Sequence, residues 1–255
     1  VSKSAGINAP SRGWGVVCAD LTGDGLVDIY VANDSEPNIL WTNLGDGKFR
    51  DEAARRGIAV NGMGRAEAGM GVAAGDIDGD GWKEIAVGAK GKPFADGNWF
   101  AFWKNPGKEK VKGAWKKTVL ALDETAATNI LPADVNGDGK PDWLASRGHG
   151  NGVIWFENPS WKIHDIDTEI EFPHSLTVAD HDNDGDIDAA TCGYGSKRVM
   201  WYENNGKGIF KLHVVDNLQE SYDLRTVDMD GDGDLDLLNA GRGSANVVWY
   251  ENMSK

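Results

Sequence analysis

Cysteine is scarce, with two in 255 residues, Cys18 and Cys192. They stand in apolar runs without CxxC spacing or nearby histidines, which rules out a disulfide-stapled miniprotein and reads as buried free thiols. Proline is also sparse, at 8 residues, and no stretch reaches the ~18 to 20 apolar residues of a membrane helix. The first residues, VSKSAGINAP, lack the charged start and apolar run of a signal peptide. Without an initiator Met, the chain reads as a processed or trimmed form. Basic residues are in deficit, 26 Lys plus Arg against 40 Asp plus Glu, and the formal charge of −14 opposes any grip on phosphate backbones. Nucleic acid is set aside as a partner. No Ser–His–Asp order, phosphate loop or zinc spacing is present.

Glycine and tryptophan are abundant, at 34 and 11 residues. The acids are clustered, and one nine-residue pattern recurs five times: DLTGDGLVD from Asp20, DIDGDGWKE from Asp76, DVNGDGKPD from Asp134, DHDNDGDID from Asp180 and DMDGDGDLD from Asp228. Each places oxygen-bearing side chains at positions 1, 3, 5 and 9 and Gly at position 6. A β-prone run follows, then a tryptophan signature: NILWTN, AFWKN, VIWFEN, VMWYEN and VVWYEN around Trp41, Trp103, Trp155, Trp201 and Trp249. The first Asp and this Trp are 21 residues apart, or 27 in the second repeat, which carries an insertion within Lys90 to Trp99. A further strand follows in most repeats.

Four short strands in about 50 residues, repeated without a helical pattern, describe a β-propeller blade. The expectation is an all-β, five-bladed propeller occupying 1–255 as a single domain. Its blades span 8–59, 60–124, 125–168, 169–217 and 218–255. The last repeat stops after its third strand, so Val1 to Ile7 (VSKSAGI) are assigned as the missing outer strand of blade five, closing the ring.

Clustered carboxylates without His or Cys call for a hard cation, and Ca²⁺ is the expected cofactor, up to five ions. The proposed ligand sets are Asp20, Thr22, Asp24, Leu26 and Asp28; Asp76, Asp78, Asp80, Trp82 and Glu84; Asp134, Asn136, Asp138, Lys140 and Asp142; Asp180, Asp182, Asp184, Asp186 and Asp188; and Asp228, Asp230, Asp232, Asp234 and Asp236. Position 7 would offer only its carbonyl. An EF-hand fails because position 12 is Val31, Val87, Ala145, Thr191 or Asn239, never the bidentate Glu that such a loop needs. Thr22 makes loop one the weakest. Five ions would bring the charge from −14 to −4, and loops of this kind suit calcium outside cells.

On these loops the chain resembles the FG-GAP/VCBS repeat family, closest in style to bacterial VCBS repeat proteins. The resemblance implies a calcium hairpin between the first two strands of each blade. It leaves activity open, because the family includes adhesion modules, a sugar-binding lectin and propellers attached to enzymes.

Function is sought where equivalent positions differ. Six residues before each loop stand Trp14, Met70, Thr128, His174 and Tyr222, followed by Gly15, Gly71, Asn129, Ser175 and Asp223. Between the second and third strands stand glycine-flanked His149, Tyr194 and Arg242, with Arg147 and Asp34 nearby and Phe94, Asp96 and Trp99 in the insertion. Trp14, His149, His174, Tyr194, Tyr222, Asp223 and Arg242 are the candidate ligand site. Aromatic faces stack on sugar C–H surface while polar groups take hydroxyls. The leading expectation is a secreted or periplasmic binding module for a glycan or extracellular protein, monomeric or part of a larger protein, with no catalytic residues. A carbohydrate enzyme (lyase, dehydratase or glycosidase) using His174, Tyr222, Asp223 and Arg242 is the alternative, and an adhesive scaffold the third. Paired carboxylates for glycoside hydrolysis would come from Asp34, Glu67 and Asp223. The repeated tryptophans, Glu157, Glu203, Glu251, His164 and His213 are expected to be structural.

Overall fold

The structure, a computed structural model, describes every residue except 1, 9–10, 91–96, 125 and 255. Among the described residues the chain is all-β apart from one helical turn, and its strands form five antiparallel sheets, the blades of a five-bladed β-propeller. Two compact units, Val1–Ile130 and Leu131–Lys255, divide the chain.

Unit one holds two four-stranded blades. The first is β1 (Gly13–Ala19), β2 (Asp28–Asn33), β3 (Ile39–Asn43) and β4 (Phe49–Asp51); the second is β5 (Gly69–Gly75), β6 (Glu84–Ala89), β7 (Trp99–Lys104) and β8 (Lys116–Leu122). Its core packs Leu21, Tyr30, Leu40, Ile85, Trp99, Trp103 and Trp115. The inner strands approach closely: a Cβ on Gly15 would meet the Met70 carbonyl at 2.5 Å, so glycine is required there.

Unit two holds three blades. Blade three is β9 (Ile130–Ala133), β10 (Asp142–Ser146), β11 (Asn151–Glu157) and β12 (Lys162–Glu171). Blade four is β13 (Pro173–Ala179), β14 (Asp188–Gly193), β15 (Arg198–Asn204) and β16 (Phe210–Asp216). Blade five is β17 (Asp223–Val227), β18 (Asp236–Gly241) and β19 (Asn246–Tyr250), three strands rather than four. Inner strands β13 and β17 are joined by Ser175, whose hydroxyl donates to the Leu224 carbonyl at 3.0 Å, and by the Thr177–Thr226 hydroxyl pair at 2.8 Å.

Two expectations are corrected. The expected outer strand from Val1 to Ile7 is not formed by its described residues, 2–7: Ser2–Ala5 form a helical turn, and the Ser4 carbonyl accepts from Lys48 Nζ at 2.6 Å, beside β4 of blade one. The physical reason is composition. Small residues and Gly6 at φ 88° give a turn, with no alternating apolar face to pair as a strand. Cys18 is exposed on β1, whereas Cys192 is buried, and both are free. The alternation of β1, which turns Trp14, Val16 and Cys18 outward, was hidden by its apolar composition.

The repeated tryptophans are mostly interior. Trp41, Trp103 and Trp155 are 7%, 2% and 3% exposed, while Trp249 on the three-stranded blade reaches 43%. His164 stacks on Trp155 and His213 on Trp201, each with centroids 4.4 Å apart, and the two histidines bond Glu157 and Glu203 at 2.8 and 2.5 Å. These residues hold the outer strands onto their blades.

Candidate functional site

The five acidic loops sit between the first and second strands of their blades. The Gly at position 6 has φ of 84°, 88°, 82°, 96° and 100° in the five loops, a left-handed turn that side chains resist. Backbone amides fold onto the carboxylate at position 1: Gly25 and Gly81 donate to Asp20 and Asp76 at 2.8 and 2.9 Å, and Gly185 donates to Asp180 at 3.0 Å. The position 9 acid is fully buried and bridges two segments. Asp188 Oδ1 accepts the Asn204 N–H at 2.7 Å, while Oδ2 accepts from His181 N–H at 3.3 Å and Trp201 Nε1 at 3.0 Å. Asp28, Glu84, Asp142 and Asp236 repeat the bridge, from the second loop residue to the Asn that closes the tryptophan signature.

Burial pushes four of the five position 9 acids up, against these N–H bonds: Glu84 to about 7, with Asp80 and Asp76 adding repulsion, Asp142 and Asp188 to about 6, and Asp28 above its ordinary value. The donors suit a hard cation. Carboxylate oxygens of Asp76, Asp78 and Glu84, of Asp180, Asp182 and Asp184, and of Asp228, Asp230 and Asp236 gather within 4.8 Å of one another. Buried Asp134 Oδ1 and Asp234 Oδ1 have no hydrogen-bond partner, and such atoms are costly unless something satisfies them. His181, the imidazole within loop four, bonds the Ala179 carbonyl at 3.0 Å and Thr226 at 3.2 Å instead. Loops one and three, with Thr22 and Asn136 at position 3, form no such carboxylate trio among the described residues.

The asparagines that end the tryptophan signature were quoted in the repeat but given no role. Three of these side-chain amides reach the neighbouring blade: Asn105 Nδ2 donates to the Leu21 carbonyl at 3.0 Å, Asn204 to Val135 at 2.8 Å and Asn252 to His181 at 2.5 Å. Their repetition in every signature was the available signal.

Of the seven candidate ligand residues, five converge within unit two. His149 meets His174 edge to face at 4.6 Å, and His174 stacks on Tyr222 at 4.1 Å with an interplanar angle of 20°. Tyr194 meets Tyr222 edge to face at 6.3 Å, and the Arg242 guanidinium lies 5.0 Å from the Tyr222 ring centre and 5.9 Å from that of Tyr194. The elements explain the convergence. His174 enters β13 and Tyr222 immediately precedes β17, while His149, Tyr194 and Arg242 occupy the turns from the second to the third strand of their blades. Glycines let those turns lie flat: a Cβ on Gly195 would meet the Phe172 ring at 2.6 Å, and one on Gly243 the Glu220 side chain at 2.1 Å.

Phe172 was missed. Its N–H donates to the Gly150 carbonyl at 2.7 Å and its carbonyl accepts from Tyr194 N–H at 3.1 Å, so its backbone splices the His149 turn to the Tyr194 turn. Its φ of 52° is unusual for a bulky residue. No sequence signal marks it, because other amino acids stand at the equivalent place in the other repeats.

Other candidates fall away from this cluster. Trp14 lies in unit one, 59% exposed. Asp223 is committed, accepting from Ser175 Oγ at 3.1 Å and pairing with Arg225 at 3.2 Å. Glu67 is buried, taking Trp99 Nε1 at 3.0 Å and Lys117 at 3.2 Å; Trp99 is therefore interior, not an exposed platform, because its indole N–H seeks that carboxylate. Asp34 pairs with its neighbour Ser35 at 2.9 Å. Phe94 and Asp96 lie outside the described residues. The Tyr222 face expected to stack on ligand carries His174 instead, which makes Tyr222 a post that orients His174 and Arg242.

The FG-GAP-like repeat model matches residues 20–87, 134–191 and 180–239, more than half of the chain. The protein belongs to the FG-GAP-like repeat family. Human cartilage acidic protein 1 is 34% identical over 88 residues, and the mouse protein 33%. The match covers 34% of this chain and only 13% of those relatives' length. Among solved structures, an Agrocybe aegerita lectin described for recognition of non-reducing terminal N-acetylglucosamine aligns over 99% of this chain and 69% of its own, with TM-score 0.60 and 18% identity. The V. cholerae biofilm matrix protein Bap1 aligns over 97% and 39%, with TM-score 0.59 and 18% identity. A chain of the nidogen/laminin complex aligns over 96% and 78%, with TM-score 0.60 and 14% identity. At these identities the likeness concerns the fold. Among the described residues no helix is long and apolar enough to cross a membrane.

Proposed function

We propose that this FG-GAP-like propeller is a calcium-stabilised extracellular binding module whose ligand, a glycan, seats on His149, His174, Tyr194, Tyr222 and Arg242. The observation that carries the reading is the convergence of five unrepeated residues from three blades onto one rim, with contacts of 4.1 to 6.3 Å between them. Residues that differ between otherwise equivalent blades are not needed by the blade, yet here they meet. Imidazole and guanidinium N–H groups over aromatic rings match a ligand with hydroxyls on an apolar frame. The neighbouring fold of a lectin that recognises N-acetylglucosamine agrees with such a use.

Calcium is proposed for the acidic loops on the strength of their oxygen-only donor sets, the three carboxylate trios and the unpartnered buried oxygens. The ions would act as scaffold. The enzyme alternative has less support, since Asp223 is held by Ser175 and Arg225 and does not serve as a free base. The deciding experiment is a glycan array probed with the protein, repeated with chelator and with Tyr222→Ala. Signals lost in Tyr222→Ala at unchanged folding support the rim; signals indifferent to it place the binding site elsewhere.

A further inference from the structure

A protein of formal charge −14 repels anions in general. Around the rim, Lys197 pairs with Glu220 at 2.5 Å, Arg225 with Asp223 at 3.2 Å and Arg147 with Asp165 at 3.7 Å. Arg242 differs. Among the described residues no carboxylate lies within ion-pair distance of its guanidinium, which instead lies over Tyr222 and Tyr194. Glu220, the acid packed against the adjacent Gly243, already belongs to Lys197.

Such an arrangement has a chemical direction. Stacking occupies the face of a guanidinium and leaves its edge donors, which match the two oxygens of a carboxylate or sulfate in a planar fork. Tyr222 has His174 stacked on its ring at 4.1 Å and the Arg242 guanidinium 5.0 Å from its ring centre, so one side chain neighbours both groups. The two imidazoles, His149 and His174, stand beside it.

Resting on the rim as the ligand site, we propose that its ligand is an acidic sugar, with the oxyanion of a uronate or sulfated residue held by the edge of Arg242. The anion would also give a partner to a guanidinium that has no acid of its own.

The test is titration calorimetry at fixed excess calcium with three probes: short oligogalacturonates, the same oligosaccharides after carboxyl reduction, and a sulfated neutral oligosaccharide. Binding of either charged probe at least tenfold tighter than the reduced one supports the proposal, and the two charged arms distinguish carboxylate from sulfate. Arg242→Ala should then lose about 10- to 100-fold for the charged probe, Arg242→Lys should recover only part, and Lys211→Ala, an exposed cation on β16, should change nothing. Arg242→Gln keeps a planar polar group and serves if the alanine variant melts early. Equal affinity for charged and reduced probes, with Tyr222→Ala weakening both and Arg242→Ala neither, overturns the acidic-sugar assignment and leaves the rim standing. No binding of any probe, with glycan-array signals indifferent to Tyr222→Ala, removes both.

Discussion

The Asn204 side chain donates to the carbonyl of Val135 at 2.8 Å, crossing from the end of one blade's tryptophan signature into the acidic loop of the blade before it. The same amide donates to Ile187 at 3.0 Å, while the backbone N–H goes to Asp188. Asn204→Ala should therefore take one donor from each of two carbonyls, of which Val135 keeps the Gly208 N–H, and cost on the order of 1 to 3 kcal/mol. Urea unfolding checks this. Exposed Lys207→Ala, in the following turn, should stay within about 0.5 kcal/mol of the parent.

Calcium should raise the melting temperature and chelator should lower it, because an ion that binds only the folded loops adds stability by mass action. Loop one should lose its ion first, with Thr22 at position 3 and no carboxylate trio there. Thr22→Asp should tighten that site in calcium titration. A melting temperature indifferent to complete metal removal contradicts the loop assignment.

The metal-free protein should respond to pH in an unusual sense. Glu84, Asp142 and Asp188 have folded values raised, chiefly by burial, to about 7, 6 and 6, above their ordinary values of 4.5, 3.8 and 3.8. A raised group holds its proton more tightly when folded, so its contribution is complete below about pH 4 and is lost as pH rises through 6 to 7. Asp236 shifts downward, its bonds to Asn252 and Met229 outweighing burial. Asp28 is raised by burial as well, and four groups against one predict that melting in chelator falls from pH 5 to pH 8. In excess calcium, which competes with those protons, the fall should vanish. A chelator series that rises toward pH 8 contradicts the burial of these acids.

At the rim, Tyr222→Ala removes the support of both His174 and Arg242, so it should weaken ligand binding at least as much as Arg242→Ala. The double variant should lose clearly less than the sum of the two, since the second substitution finds little left to remove. Additive losses would mean that Tyr222 and Arg242 contact the ligand independently.

Much of this was legible from spacing. Five DxDxDG-like loops and five tryptophan signatures fixed blade number and strand order, because each repeated residue answers a repeated geometric demand: Gly25 and its equivalents a left-handed turn, Trp155 a cover for the sheet. The rim was legible for the opposite reason, as equivalent positions with unlike residues. The rest was hidden where composition and conformation part company. VSKSAGI looked like an outer strand by position alone, yet Ser2–Ala5 coil into a turn. Phe172 carries its role in backbone hydrogen bonds, which no side-chain pattern announces. Trp99 looked like an open aromatic until Glu67 was found at its indole N–H.

The outward face of β1 has a practical consequence. Cys18 is exposed there, while Cys192 lies buried with its thiol pushed up to about 12. A maleimide at neutral pH reaches the exposed thiol and not the buried one. The native chain thus carries its own single attachment point, and a dye or linker coupled at Cys18 marks the inner strand of the first blade without one engineered residue.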